Sequence, residues 1–245
     1  MCSMLQFAAR FTRQWHTAAV LLALGWPAVA GLALTQAIAA VPPTITQSSS
    51  LGVVPVTFLW ACGEADQTAA NQWFRRFDLA GEFGITTPVM VTAVDFGIER
   101  AWDVRRSQVA FVLVRSIPKG LPLTFENTTV LGDGNWVVDD QQLTLFHMPV
   151  SASFLHPLTE DLVIEVASET HPYTASGAFF IGCNTTFETR PSYWCAYHSG
   201  CDVDEPVTLA SVRMGDQHVV MVVHLAEVPT AVRGLSWGRV KSLFR

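Results

Sequence analysis

The stretch FFIGCNTTFETRPSYWCAYHSGC, residues 179–201, decides the fold. It opens with an apolar strand that ends at Gly182, continues through a polar loop to Pro191-Ser192-Tyr193, and closes on a cysteine-containing turn. Short apolar strands bounded by Gly, Asn, Pro and Ser are typical of β-structure. The stretch therefore indicates an all-β domain.

The same short-strand pattern extends over residues 53–228. Apolar or alternating runs recur roughly every ten residues and are separated by turn residues, which is the spacing of a sandwich or barrel. No run in this region carries a sustained apolar stripe of helical period, so a parallel sheet with crossover helices is disfavoured. The pattern predicts a single antiparallel, jelly-roll-like β-sandwich.

Two local features refine this prediction. The alternation in residues 73–79 places Trp73 and Arg75 on one face of a strand, and Phe74 and Arg76 on the other. Further along the chain, the dipeptide at 133–134, Asp-Gly, predicts a hairpin turn between two strands.

The first 40 residues predict a helical signal peptide. Arg10 and Arg13 precede the apolar run TAAVLLALGW, and A-x-A cleavage sites follow at 28–30 and 37–39. An uncleaved membrane anchor is the alternative, because residues 18–40 are long and apolar enough to span a bilayer. The predicted organisation is a signal peptide over 1–40, a linker over 41–52, the sandwich over 53–228 and a basic tail over 229–245.

Charge disfavours two classes of partner. The chain has 15 basic and 21 acidic residues, and the first 40 residues contain two of the arginines and no acid. The processed chain therefore has a net charge near −8. Nucleic acids and anionic membranes attract clustered Lys and Arg, so we expect neither as a partner. We also expect no membrane span in the processed chain.

Four cysteines follow the predicted signal peptide: Cys62, Cys183, Cys195 and Cys201. An even number in an exported chain predicts two disulfides, but three pairings are possible and sequence cannot choose among them. We favour Cys183–Cys195 as a loop staple and Cys62–Cys201 as a long-range tie. The absence of any C-x2-C pair disfavours a structural zinc site.

Several stretches resemble a family of secreted bacterial β-sandwich modules. Residues 179–201 are similar to its signature, F-[FY]-[IV]-G-x-N followed by P-S-Y and a cysteine. Other elements match in order, as NQWFRRFDL at 71–79, VDFGIE at 94–99, DLVIEV at 161–166 and HVVM at 218–221. The resemblance implies an exported jelly-roll-like sandwich, often appended to larger surface proteins, with no established catalytic residues. Cys183 and Cys195 depart from the family pattern, which favours their pairing with each other.

The basic tail, Pro229–Arg245, resembles the ends of exported proteins of some environmental bacteria. It predicts either a sorting or docking tag or a frayed terminus, since chain ends are ordered only when something ties them down.

Two groups of side chains are candidates for ligand contact. Trp194 and Tyr197 lie in the predicted disulfide-bounded loop, where exposed rings would stack on a carbohydrate. Asp202, Asp204 and Glu205 offer the hard oxygen ligands that calcium prefers, although the loop lacks an EF-hand pattern.

The histidines give no metal site at the level of sequence. They are scattered, and His218 and His224, which share a face of one predicted strand, would lie about 20 Å apart. We therefore expect structural histidines, and no cofactor apart from the candidate calcium ion.

The sequence predicts no catalytic residues. It has no G-x-S-x-G elbow, and Asp139 and Asp140 cannot line one site from a strand because neighbouring side chains point to opposite faces.

The leading interpretation is a non-catalytic extracellular module with a surface-associated binding or structural role, whose partner is a polysaccharide or an envelope protein. The alternatives are a secreted hydrolase using loop carboxylates and a self-assembling surface subunit that adds strands at an edge near Val53–Trp60.

Overall fold

A computed structural model of the protein describes residues 40–55, 63–64, 67–68, 70–103, 108–168, 171–172, 177–197, 201 and 203–228. Residues 1–39 of the predicted signal peptide and the whole predicted basic tail lie outside these ranges. A short helix, α1, covers Leu79–Phe83, and a 3-10 helix covers Leu209–Val212. The strands are β1 (Thr44–Thr46), β2 (Gly63–Glu64), β3 (Gln67–Thr68), β4 (Ala70–Phe77), β5 (Val89–Asp103), β6 (Gln108–Pro118), β7 (Thr129–Val138), β8 (Gln141–Phe154), β9 (Glu160–Ser168), β10 (His171–Pro172), β11 (Gly177–Ile181), β12 (Cys183–Asn184), β13 (Ser192–Tyr197), β14 (Val203–Thr208), β15 (His218–Val219) and β16 (Met221–Glu227).

Two large antiparallel sheets enclose one core. In sheet I, β5 pairs with β8 along one edge and with β16 and β11 along the other, and β1 pairs with β16. Sheet II has the order β14-β13-β4-β9-β6-β7. Apolar side chains of both sheets form one buried cluster that includes Trp73, Val112, Ile164 and Trp194 from sheet II and Phe96, Met148 and Met221 from sheet I. The predicted all-β antiparallel sandwich is confirmed.

Strand β4 shows how alternation of side chains builds the two layers. Trp73 joins the core between the sheets, and Arg75 is buried on the same face of the strand. Phe74 lies on the outer face with Leu123 and Phe125, which belong to the loop after β6 and cover it. The predicted two faces of this strand are confirmed.

The predicted hairpin turn at Asp133-Gly134 is wrong, because both residues lie inside β7. A Cβ atom at Gly134 would stand 3.1 Å from the carbonyl oxygen of Pro149, and one at Gly132 would stand 2.6 Å from that of Ser151. These glycines therefore allow β7 to pass close to β8, at the side where the two sheets meet. The chain turns instead at residues 139–140, between β7 and β8.

Three backbone segments cross at Gly97, Gly182 and Val220. The Gly182 N–H donates to the Gly97 carbonyl at 2.7 Å, the Gly97 N–H donates to Val220 at 2.9 Å, and the Val220 N–H donates to Gly182 at 3.1 Å. A Cβ atom at Gly97 would lie 2.7 Å from the Gly182 carbonyl oxygen, and one at Gly182 would lie 2.5 Å from the Gly97 carbonyl carbon. Only glycine, which has no Cβ, permits this approach at both positions.

We name Gly97, Gly182 and Val220 the glycine junction. This junction allows two strands to share one edge of β5. Residues of β5 up to Phe96 pair with β16, and those from Ile98 onward pair with β11. Beyond the junction, β12 pairs with β15. The chain after Gly182 therefore leaves sheet I and runs toward the loop that precedes β13.

We predict that Gly97→Ala destabilises the domain by about 2 kcal/mol or more. The added methyl group would meet backbone atoms, which cannot rotate away as a side chain can. Chemical denaturation followed by tryptophan fluorescence measures the change in the free energy of unfolding.

Gly52→Ala is the matched control for this substitution. A Cβ atom at Gly52 would meet only the Ser50 hydroxyl, at an ordinary contact distance of 3.5 Å. We expect it to change the free energy of unfolding by less than about 0.5 kcal/mol. Equal stability of the two variants would contradict the proposed role of the junction.

Candidate functional site

A buried polar network fixes the loop between β12 and β13. Arg75, which is 1% exposed, contacts the carboxylate of Glu188 and donates to the Ser192 hydroxyl at 2.6 Å. That hydroxyl donates to Glu188 at 3.1 Å and accepts the Val219 N–H at 3.0 Å. The network therefore ties the loop to β4 and β13 of sheet II and to β15.

Charge in this network is balanced within a single ion pair. Burial lowers the pKa of Arg75 to about 10, so the guanidinium stays charged at neutral pH. Burial, with the charge of Arg75, also lowers the pKa of His218, whose Nδ1 lies 2.8 Å from Glu188 Oε1. His218 is therefore neutral at neutral pH, and Arg75 is the positive charge that balances Glu188.

A cavity of about 420 Å³ opens where this loop meets the ends of β4, β6, β9 and β13. We name it the polar cavity. Residues from four places in the chain line it, among them Arg76, Asp78, Lys119, Asp161, Arg190 and Tyr193. Within the Pro191-Ser192-Tyr193 tripeptide, Ser192 points to the buried network, while its two neighbours line the cavity.

Cations in the wall of the polar cavity contact carboxylates. Arg76 Nε donates to Asp161 Oδ2 at 2.8 Å, and Lys119 Nζ donates to Asp78 Oδ1 at 2.5 Å. Arg190 is paired with Glu82. The wall therefore presents hydrogen-bonding groups at close spacing while its charges largely compensate one another.

Asp78 has two structural roles in the polar cavity. It caps the N-terminus of α1 by accepting the Gly81 N–H at 2.9 Å, and it accepts from Lys119. Burial alone would raise the pKa of Asp78, but these hydrogen bonds outweigh it and the pKa lies below its ordinary value. Asp78 is thus ionised at neutral pH, whereas a general acid for glycoside hydrolysis needs a raised pKa.

The predicted aromatic contact at Trp194 is wrong. Trp194 is 1% exposed, faces the core between the sheets, and donates its indole N–H to Asn71 Oδ1 at 3.0 Å. Tyr197 ends β13, and its side chain lies outside what the structure describes. Tyr193, which the sequence analysis did not select as a ligand contact, lines the polar cavity, and the alternation of side chains along β13 is the signal that separates it from Trp194.

The predicted Cys183–Cys195 disulfide is also wrong, because both residues are buried free thiols. Cys183 belongs to the core between the sheets, whereas Cys195 belongs to the cluster on the outer face of sheet II. A sheet therefore separates the two sulfur atoms. Burial raises the pKa of each thiol to about 12, which makes both unreactive in the folded protein.

The predicted calcium ligands are only partly covered by the described ranges, which leave out Asp202. Asp204 and Glu205 are neighbours in β14, so their side chains leave opposite faces of the strand. Glu205 accepts the Phe125 N–H at 2.9 Å. The calcium site stays a prediction.

The exposed edge near Val53–Trp60 also stays a prediction, since residues 56–60 lie outside the part of the chain that the structure describes.

The sequence also gave no sign of a cluster on the outer face of sheet I. There the carboxylate of Asp95 lies between His147 and His224. These residues lie on three different strands, so their proximity depends on the pairing register of those strands. Spacing along the sequence does not reveal that register.

Comparison with known proteins gives few matches. No family profile and no curated protein matches the sequence. One similar solved structure comprises the cysteine protease and lectin-like domains of Cwp84, a surface layer associated protein of Clostridium difficile, with 12% identity and a TM-score of 0.44. A second, clostridial cysteine protease Cwp84 after propeptide cleavage, has 12% identity and a TM-score of 0.41.

These likenesses are partial. The first covers 66% of this chain and 33% of the other, and the second covers 68% and 38%. At this identity and TM-score they carry no argument about function.

Among the described residues, no helix combines the length and hydrophobicity needed to cross a bilayer.

We predict that Glu188→Gln destabilises the domain by about 3–5 kcal/mol, because it leaves the buried guanidinium of Arg75 without a compensating charge. The measurement is the free energy of unfolding from denaturant titration. Glu126→Gln, which changes an exposed carboxylate in the loop after β6, is the control and should change this quantity by less than about 0.5 kcal/mol. Similar values for both variants would contradict the structural role of the Arg75–Glu188 pair.

Proposed function

We propose that this protein is a non-catalytic extracellular β-sandwich module that binds a neutral, hydroxyl-rich ligand, a polysaccharide segment, in the polar cavity. The observation that carries the proposal is the composition of the cavity wall. Tyr193 supplies an aromatic ring, and Arg76, Lys119, Asp161 and Arg190 supply closely spaced donors and acceptors. An apolar ring beside converging polar groups is the usual composition of a site that fixes the orientation of a small ligand.

Charge compensation in the wall favours a neutral ligand. A ligand with phosphate or carboxylate groups would have to compete with Asp161 and Asp78 for the cations they already contact. Sugar hydroxyls can donate to these carboxylates and accept from Arg76, Lys119 and Arg190 without breaking an ion pair. The volume of about 420 Å³ lies in the range of small-molecule sites.

Three of the five segments that carry the family resemblance meet at this cavity. Arg76 and Asp78 come from the stretch 71–79, Asp161 opens the stretch 161–166, and Tyr193 belongs to 179–201. This convergence supports a shared binding role for those stretches. The hydrolase alternative receives less support, because the ionised Asp78 is unsuited to donate a proton at neutral pH.

We also propose export through the N-terminal segment, followed by a single disulfide between Cys62 and Cys201. Cys201 is disulfide-bonded, and Cys183 and Cys195 are free, which leaves Cys62 as the partner after removal of residues 1–40. A disulfide suits an oxidising, extracellular compartment.

Mass spectrometry of the protein recovered from its host tests this proposal. We expect an intact mass without residues 1–40, one unreduced Cys62–Cys201 peptide, and alkylation of Cys183 and Cys195 only after unfolding. A chain that keeps residues 1–40 would favour the membrane-anchor alternative. Unreduced peptides that join Cys183 to Cys195 would contradict the structure.

Binding of neutral oligosaccharides tests the proposed function. We expect hits on a glycan array, confirmed by isothermal titration calorimetry, and a loss of affinity of about tenfold or more in Tyr193→Ala, since loss of ring contact and desolvated hydrogen bonds costs about 1–3 kcal/mol. Arg190→Ala should weaken binding as well, because it removes donors from the cavity wall.

Trp136→Ala is the matched control for these variants. Trp136 is 49% exposed on β7, at the opposite edge of sheet II from β13 and β14, so its loss should leave the affinity unchanged. Equal weakening by Tyr193→Ala and Trp136→Ala would place the ligand elsewhere. Absence of any glycan that binds the wild-type protein would contradict the carbohydrate proposal, and release of a cleaved product would favour the hydrolase.

A further inference from the structure

Three adjacent strands of sheet I place Asp95, His147 and His224 on its outer face. Asp95 and His147 are direct cross-strand partners of β5 and β8, and His224 on β16 lies diagonally across from Asp95, opposite Ala93. The residues on either side of each, such as Val94, Met148 and Val223, face the core. Alternation therefore directs all three polar side chains outward.

The atoms of this group converge on the carboxylate. His147 Nδ1 lies 2.6 Å from Asp95 Oδ1, and His224 Nε2 lies 2.7 Å from Asp95 Oδ2. The two imidazole rings stand perpendicular, with centroids 5.2 Å apart. One ligand atom from each residue falls within 4.8 Å of the others, which is a spacing that a single ion can bridge with small rotations.

The local backbone favours this arrangement. The pairing of β5 with both β8 and β16 skips Thr92, so a bulge lies directly beside the row that contains His224. The Thr92 hydroxyl donates to the His224 carbonyl at 3.4 Å. Bulges change the direction of neighbouring side chains and are frequent next to functional sites.

We propose that Asp95, His147 and His224 form a binding site for a divalent transition metal ion of the zinc class. Two imidazole nitrogens and one carboxylate oxygen are a donor set that Zn²⁺ uses with a fourth, open position. Calcium and magnesium prefer oxygen ligands alone and fit this set poorly. The side chain of His147 is 58% exposed, and those of His224 and Asp95 are 29% and 20% exposed, so an ion reaches the site from solvent.

Metal binding would replace the contacts that the three side chains make with each other. The nitrogen atoms that face Asp95 would present lone pairs to the ion, and any protons held between them and the carboxylate would be released. The fourth position would face solvent, where water or a donor from a bound partner completes the coordination. This site lies on sheet I, whereas the polar cavity is formed by sheet II, so the two proposals are independent.

Titration of the untagged, chelator-treated full chain with Zn²⁺ tests the site, by calorimetry and by competition with a chromophoric chelator. We expect one Zn²⁺ per chain with micromolar or tighter affinity, and Co²⁺ should give the visible absorption of low-symmetry, four-coordinate geometry. His147→Ala, His224→Ala and Asp95→Asn should each weaken Zn²⁺ binding about tenfold or more.

His156→Ala is the control, because His156 is exposed in the turn after β8 and is not part of the cluster. It should bind Zn²⁺ as tightly as the wild type. Thermal melting of each variant in chelator shows whether the domain is intact, and His147, the most exposed of the three, provides a variant that leaves the core untouched. Absence of stoichiometric Zn²⁺ binding would overturn the proposal, as would variants that bind like the wild type or a site that takes Ca²⁺ equally well.

Discussion

The close approach of two backbones at Gly97 and Gly182 is the constraint on which the rest of the structure depends. Three hydrogen bonds among Gly97, Gly182 and Val220 hold the backbones so close together that no space remains for a methyl group at either glycine. Because of this contact, β16 and β11 can share one edge of β5, and the chain after Gly182 can leave sheet I. A Cβ atom at either position would clash with the backbone of the opposite glycine, so the two segments would have to move apart.

The buried Arg75–Glu188 pair fixes the loop that follows the glycine junction, and this loop forms one wall of the polar cavity. The chain that leaves the junction reaches Glu188, which Arg75 of sheet II holds together with Ser192. Burying an ion pair is costly unless hydrogen bonds compensate it. Here the hydroxyl and the N–H of Ser192 both donate to Glu188, whereas Arg75 Nη2 has no hydrogen-bond partner among the described residues. The result is a fixed loop whose next residues form a wall of the polar cavity. The buried polar network thus positions Tyr193 in the wall of the polar cavity.

Much of the fold was predictable because it follows from periodicity. The alternation in β4 identified the faces of Trp73 and Phe74, and the regular spacing of turns predicted an antiparallel sandwich. The errors arose where one local pattern has two meanings. Asp133-Gly134 has the composition of a turn, yet the glycine is needed for clearance from Pro149 inside a strand. Trp194 lies beside turn residues, yet the pleat of β13 directs it into the core.

By itself, the sequence determined the all-β class and the two faces of strand β4. These properties depend on neighbours one or two positions apart, and a strand fixes them through its repeat of two. Only the tertiary structure decided which residues meet. Cys183 and Cys195 are separated by a sheet, while Asp95, His147 and His224 converge from three strands. Such meetings are set by strand order and pairing register, and those depend on the packing of the whole chain and not on spacing within any one segment.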